Sequence, residues 1–229
     1  MYKIILITLL SLFSSQLFAQ SSFEGFFGQV STGYEKNTIS NTAPTLSNST
    51  GSQAFTTSGN ATSNNMPLVL GAGYYFSLNP QFLLGLAADY SAVTVTTSAI
   101  TNSSVGYATK SPSYQISNRY SVYIAPAFQI NKESLAYLKL GYSSESLQRN
   151  DPNSSSNVSS SLNGYILGVG YKQIITGGLY GFGELNYMGY RQSTMTNSSK
   201  LLLNGQATTD SISPSANAYN LLVGLGYKF

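Results

Sequence analysis

The stretch Tyr219–Phe229 reads YNLLVGLGYKF, and its alternation decides the fold. Tyr219, Leu221, Val223, Leu225, Tyr227 and Phe229 fall on one face, and Asn220, Gly224, Gly226 and Lys228 on the other. A period of two is the strand signal, because successive side chains of a β-strand point to opposite sides. One face here is apolar and closed by aromatic rings at both ends, while the other is mostly small or polar.

The same pattern recurs upstream. Phe26, Gly28, Val30, Thr32 and Tyr34 oppose Gln29, Ser31 and Glu35; Leu68, Leu70, Ala72, Tyr74 and Phe76 oppose Gly71 and Gly73; Phe82, Leu84, Leu86, Ala88 and Tyr90 oppose Gly85 and Asp89. Tyr120, Val122, Ile124, Pro126 and Phe128 face away from Arg119, Ser121 and Gln129, and Ala136, Leu138, Leu140 and Tyr142 away from Lys139, Gly141 and Glu145. Tyr165, Leu167, Val169 and Tyr171 oppose Gly168, Gly170 and Lys172. The seventh segment is thinner: Gly181, Gly183, Leu185, Tyr187 and Gly189 share a face, and Phe182 falls in phase with Glu184 and Asn186. Glu184 is expected inward, beside a cation, and a bulge near Phe182 would shift the phase there.

Two kinds of connection alternate between these segments. Long ones, rich in Ser, Thr and Asn, fall at about Thr38 to Asn65, Ser98 to Ser113, Asn150 to Ser161 and Gln192 to Ala216. Short ones are Leu78-Asn79-Pro80, Asn131-Lys132-Glu133-Ser134 and Thr176-Gly177-Gly178, all with turn chemistry. This asymmetry predicts an all-β fold: an eight-stranded antiparallel up-and-down transmembrane β-barrel with short periplasmic turns and long extracellular loops.

Composition and position choose which face meets lipid. Charged residues make up 8% of the chain, against about 25% in soluble domains. The hydrophobic fraction of 42% argues against disorder. Glu35, Asp89, Arg119, Lys139, Glu145, Lys172 and Glu184 all fall on the face that also holds most strand glycines, as expected of a narrow lumen filled by long, paired side chains. Aromatic residues bracket the opposite face eight positions apart, at Phe26 and Tyr34, Phe82 and Tyr90, Tyr120 and Phe128, and Tyr219 and Tyr227. On a tilted strand that interval spans about 20 Å, close to the apolar band between two aromatic girdles. A soluble secreted barrel or sandwich is the competing fold.

Residues 1–19 read as a cleaved signal peptide: Lys3, an apolar run from Ile4 to Phe13, and Leu17-Phe18-Ala19 before the cut. The expected barrel domain is residues 20–229, destined for the outer membrane of a Gram-negative bacterium. The segments Phe26–Tyr34, Leu135–Tyr142 (LAYLKLGY) and Leu225–Phe229 (LGYKF) resemble the small eight-stranded outer-membrane barrels, among them the transmembrane domain of outer membrane protein A and the opacity proteins. The resemblance implies that Val223, Leu225, Tyr227 and Phe229 form a C-terminal signal read by the barrel-assembly machinery. It also implies contact with outer-membrane lipid and lipopolysaccharide, and no peptidoglycan-binding domain is expected after the last strand.

Chemistry is sparse. Barrel enzymes such as lipid A deacylases, the lipid A palmitoyltransferase, the outer-membrane phospholipase and the omptin proteases resemble one another in relying on histidine, and this chain has none. It has no Cys either, so neither zinc ligation nor thiolate chemistry is expected. Isolated acids such as Asp151 and Asp210 make no calcium loop, and scattered basic residues argue against nucleic acid. No catalytic residue, cofactor or metal is expected. A monomeric protein with a structural or surface-interaction role is the leading expectation, its loops being either adhesion sites for a host or cell-surface ligand or a hydrated shield without one, and a narrow pore for small solutes is the alternative.

Overall fold

Alternation of side chains becomes a closed cylinder in the computed structural model, which describes residues 21–229. The expected leader, residues 1–19, lies outside the described residues. Eight long strands form the wall: β1 (Gly25–Ser40), β2 (Leu68–Ser77), β3 (Phe82–Ser91), β4 (Ser113–Asn131), β5 (Ser134–Asn150), β6 (Val158–Thr176), β7 (Leu179–Tyr190) and β8 (Ser215–Lys228). Each pairs antiparallel with its sequence neighbours, and β8 returns to β1 through a register from Phe27 opposite Lys228 to Ser40 opposite Ser215. Closure leaves no unpaired edge in the wall, which is the condition for a sheet to cross hydrocarbon.

Local chemistry sets the short turns. Asn79 Oδ1 accepts from the amides of Gln81 and Phe82, each at 2.9 Å, folding the β2–β3 turn back on itself. Asn131 Oδ1 does the same for the Glu133 amide at 2.8 Å. Gly177, with φ +55°, makes the β6–β7 turn, where a side chain would be strained.

The outward face is as read from the sequence. Leu70, Leu86, Ile124, Leu140, Leu167, Leu221 and Leu225 are exposed, while Arg119 and Lys139 are buried inside. A soluble barrel would show the reverse. At Phe182 no bulge occurs: β7 runs in continuous register with both β6 and β8 through this point. Phe182 therefore points inward and packs where a β-carbon on Gly224 would have to sit, so the glycine opposite, rather than a bulge, accommodates the ring.

The strands run past the membrane on the long-loop side. In β4 a bulge between Ser117 and Tyr120 absorbs Asn118 at φ +51°, so inward phase passes from odd positions such as Arg119 to even ones such as Tyr114 and Ile116. The long loops carry strands of their own. Met195–Leu203 and Gln206–Ile212 form a hairpin that joins Thr45–Asn48 and Gly51–Ala54 in a four-stranded sheet. Thr56–Thr57 pairs with Asn102–Ser103, and Ala61–Asn65 folds back on β1. Polar sequence thus hides an ordered cap that buries apolar side chains, among them Ile39, Leu46, Phe55, Ile100 and Met195, three of which continue the cluster that fills the barrel.

Candidate functional site

Because β5 presents every odd residue inward, it sets Lys139, Glu145 and Arg149 in one column. Other strands of the wall pair Lys139 and Glu145 in two lumen clusters, Arg149 reaches into the loops above, and Lys172 on β6 stands apart.

The upper lumen cluster centres on Arg119. Its guanidinium reaches Glu35 Oε1 at 2.7 Å and Glu145 Oε2 at 2.8 Å, and donates to Asn37 Oδ1 at 2.6 Å. The lower cluster centres on Lys139, whose Nζ lies 2.5 Å from Asp89 Oδ2 and 2.9 Å from Glu184 Oε2. Tyr137 donates to Glu184 Oε1 at 2.6 Å and Tyr123 to Asp89 Oδ1 at 3.1 Å, so each carboxylate has a second donor. Asn186 donates to Glu184 and to Asn220, and Asn220 to Glu35, linking the clusters. Buried ions are tolerated only when partners and hydrogen bonds replace water, and here both do. The space left between the clusters is a cavity of about 30 Å³, room for about one water.

Lys172 departs from the expectation that the lumen charges pair. Among the described residues it joins no ion pair. Its ammonium instead lies 3.9 Å from the Phe27 ring centroid, 4.6 Å from that of Tyr180 and 5.0 Å from that of Tyr75, with Gln29 Oε1 accepting at 3.1 Å. Aromatic faces attract a cation most strongly when water is excluded. The reason is layering: the half of the lumen toward the short turns is filled by Phe27, Tyr75, Leu83, Tyr123, Tyr137 and Tyr180, and the carboxylates lie in the layers above. The segment before β1 closes that end, where Phe23 is buried and Ser21 donates to Gln129 Oε1.

Above the membrane lies a cluster absent from the sequence reading. Lys110, Arg149, Asp151 and Asp210 meet beneath the loop sheet, all buried. Asp210 takes an ion pair from Lys110 and another from Arg149 at 3.1 Å, while Arg149 reaches Asp151 at 2.6 Å. Asp151 and Asp210 are therefore anchors between loops rather than isolated acids. Their pairings span up to a hundred positions. The available signal was that these loops hold almost no other charge. Burial also pushes the neighbouring Tyr114 phenol well above its usual range, so it stays neutral beside the carboxylates. Among the described residues no group of His, Cys, Asp or Glu is arranged to hold a metal ion.

Val223, Leu225, Tyr227 and Phe229 line the outer surface of β8 and its end, with the Tyr227 and Phe229 rings edge to face at 5.3 Å. A closed antiparallel wall, an apolar outer belt between tyrosine-rich girdles and a filled polar lumen define an integral β-barrel of the outer-membrane type.

The fold is shared with solved structures, among them two outer-membrane proteins. The outer membrane protein OprG from Pseudomonas aeruginosa is 11% identical with a TM-score of 0.60, covering 92% of this chain and 99% of that one. The outer membrane protease OmpT from Escherichia coli is 11% identical with a TM-score of 0.55, covering 94% and 99%. At this identity the likeness concerns architecture alone. No protein-family model and no curated protein matches the sequence.

Proposed function

We propose that the protein is a non-catalytic surface barrel: a sealed anchor that holds an ordered loop cap outside the cell for contact with a host or cell-surface ligand. The carrying observation is the contrast between its two ends. Paired side chains fill the charged layer of the lumen around a cavity of about 30 Å³, whereas the long loops are built into a sheet clamped by buried ion pairs. A solute path would need the first to be open, and a passive hydrated shield would not need the second.

A non-enzymatic role is favoured by the absence of histidine and by the engagement of the lumen carboxylates with cations or hydroxyls. Residues 1–19 serve in this reading as the export leader of a barrel formed by 20–229. Val223, Leu225, Tyr227 and Phe229 serve as the strand recognised during assembly, and the working form is a monomer.

The test is excision of the hairpin Thr45–Ala54, replaced by a short Gly-Ser link, in cells that display the protein. Binding of the cells to a target surface should fall while the barrel keeps its heat-modifiable mobility on gels. Unchanged binding after removal of this hairpin and, separately, of Met195–Ile212 would exclude the cap. Stable single-channel steps in planar bilayers would favour the pore instead.

A further inference from the structure

Lipid contact over most of this barrel needs no special feature, but one arc of the wall differs. On the outer face of β6, β7, β8 and β1 lies a groove of about 550 Å³, lined by Val169, Leu185 and Leu221 and bordered toward the long loops by Tyr34, Tyr187 and Tyr219. The groove lies between the outward side chains of these neighbouring strands, with Leu185 and Tyr187 of β7 at its centre. The rings of Tyr187 and Tyr219 lie 4.7 Å apart. Tyrosines of this kind sit at the boundary between acyl chains and headgroups, and the long loops mark this boundary as the outer leaflet.

Charge above these tyrosines is one-sided. Lys36 is the next outward residue above Tyr34, paired across to Tyr219, and it is exposed. Arg191, also exposed, follows Gly189 in the outward phase, where the Tyr165 ring lies against the glycine. Lys36 thus stands one outward position above Tyr34 at the β1 side of the groove, and Arg191 two outward positions above Tyr187 on β7. Of the eight acids in the chain, Glu35, Asp89, Glu145, Asp151, Glu184 and Asp210 are buried, and Glu24 and Glu133 lie at the short-turn end. Among the described residues the long-loop end therefore exposes only cations: Lys36, Arg191 and Lys200.

We propose that this arc is a specific seat for one molecule of phosphorylated, multiply acylated glycolipid of the outer leaflet. An acyl chain lies in the groove below the tyrosines, and Lys36 and Arg191 hold the glucosamine phosphates. The complementarity is of two kinds at once, an apolar trough below the girdle and two unpartnered cations above it with no competing carboxylate. The proposal rests on the placement of the long loops outside the cell and not on any ligand of the loop cap, so the two can fail separately.

The experiment uses the full barrel, purified in detergent and titrated with bisphosphorylated hexa-acyl lipid A, its monophosphoryl form, or phosphatidylglycerol, with bound lipid counted by native mass spectrometry. One lipid A per barrel is expected, with weaker binding of the monophosphoryl form and weaker still of phosphatidylglycerol. The double variant Lys36→Gln/Arg191→Gln should weaken lipid A binding by about thirtyfold, the effect of two surface cations near an anionic headgroup. Leu185→Trp, which fills the trough and leaves the cations in place, should weaken all three probes. Equal binding of phosphatidylglycerol and lipid A by the unmodified protein would overturn the proposal without any variant. So would undiminished lipid A binding by the double variant once its gel mobility shows it folded.

Discussion

Removing the Lys139 ammonium isolates two carboxylates at once. The Lys139 side chain is 1% exposed, and its partners Asp89 and Glu184 are 9% and 2% exposed. In Lys139→Met the volume is nearly conserved, so the loss is electrostatic. Breaking a buried pair by deleting one partner destabilises by about 3–5 kcal/mol, because the remaining charge is left without water or counterion. Tyr123, Tyr137 and Asn186 still donate to the stranded carboxylates, which keeps the loss within that range although both acids are affected. The triple variant Lys139→Met/Asp89→Asn/Glu184→Gln removes the whole charge set and should return to within about 2 kcal/mol of the unmodified protein, since neutral replacement of a buried ion cluster is often harmless. With no Trp in the chain, folded fraction is best read by unheated gel mobility after equilibration in urea with lipid vesicles. A single variant that loses less than about 1 kcal/mol, or a triple variant as unstable as the single, would refute the reasoning that ion pairing holds the lumen.

Lys172→Met should behave in the opposite way. Its aromatic box returns about 2 kcal/mol, less than the several kcal/mol needed to desolvate an ammonium, so stability by the same urea assay should be unchanged or higher; a clear loss would show the cation to be a net stabiliser. Asp210→Asn should loosen the cap by stranding Lys110, and added protease should then cut the loops in intact vesicles while the barrel core stays protected. Equal loop resistance in variant and parent would contradict the latch. Gly224→Val places a side chain against the Phe182 ring and the Val30 carbonyl, and overpacking of about 1–3 kcal/mol should lower the urea midpoint; an unchanged midpoint would mean that Phe182 does not occupy the lumen.

Most of the wall was legible because alternation, glycine placement and aromatic spacing all gave one phase, from Phe26 in β1 to Phe229 after β8. The inward positions of Arg119, Lys139 and Glu184 followed from phase alone. Which charges would meet did not, because contact across the lumen depends on strand stagger, which alternation leaves free. Lys172 shows the consequence: its phase was readable, but its layer, and hence its aromatic surroundings, was not. Phe182 was ambiguous because the compensating Gly224 lies on another strand, in a register that the sequence does not reveal. The cap was least legible. Runs of Ser and Asn are weak strand signals, and the four charges come from separate places, Lys110, Asp151 and Asp210 from three different connections and Arg149 from the end of β5.

The assignment of sides can be measured directly. Because the chain contains no Cys, a single Cys introduced in turn at each position from 219 to 227 can carry a spin label in the barrel folded into vesicles. Relaxation by dissolved oxygen, which concentrates in hydrocarbon, should be strong at 219, 221, 223, 225 and 227 and weak at the positions between them. Strong relaxation at 220, 222, 224 and 226 instead, or no alternation at all, would contradict a lipid-facing surface in phase with Phe229.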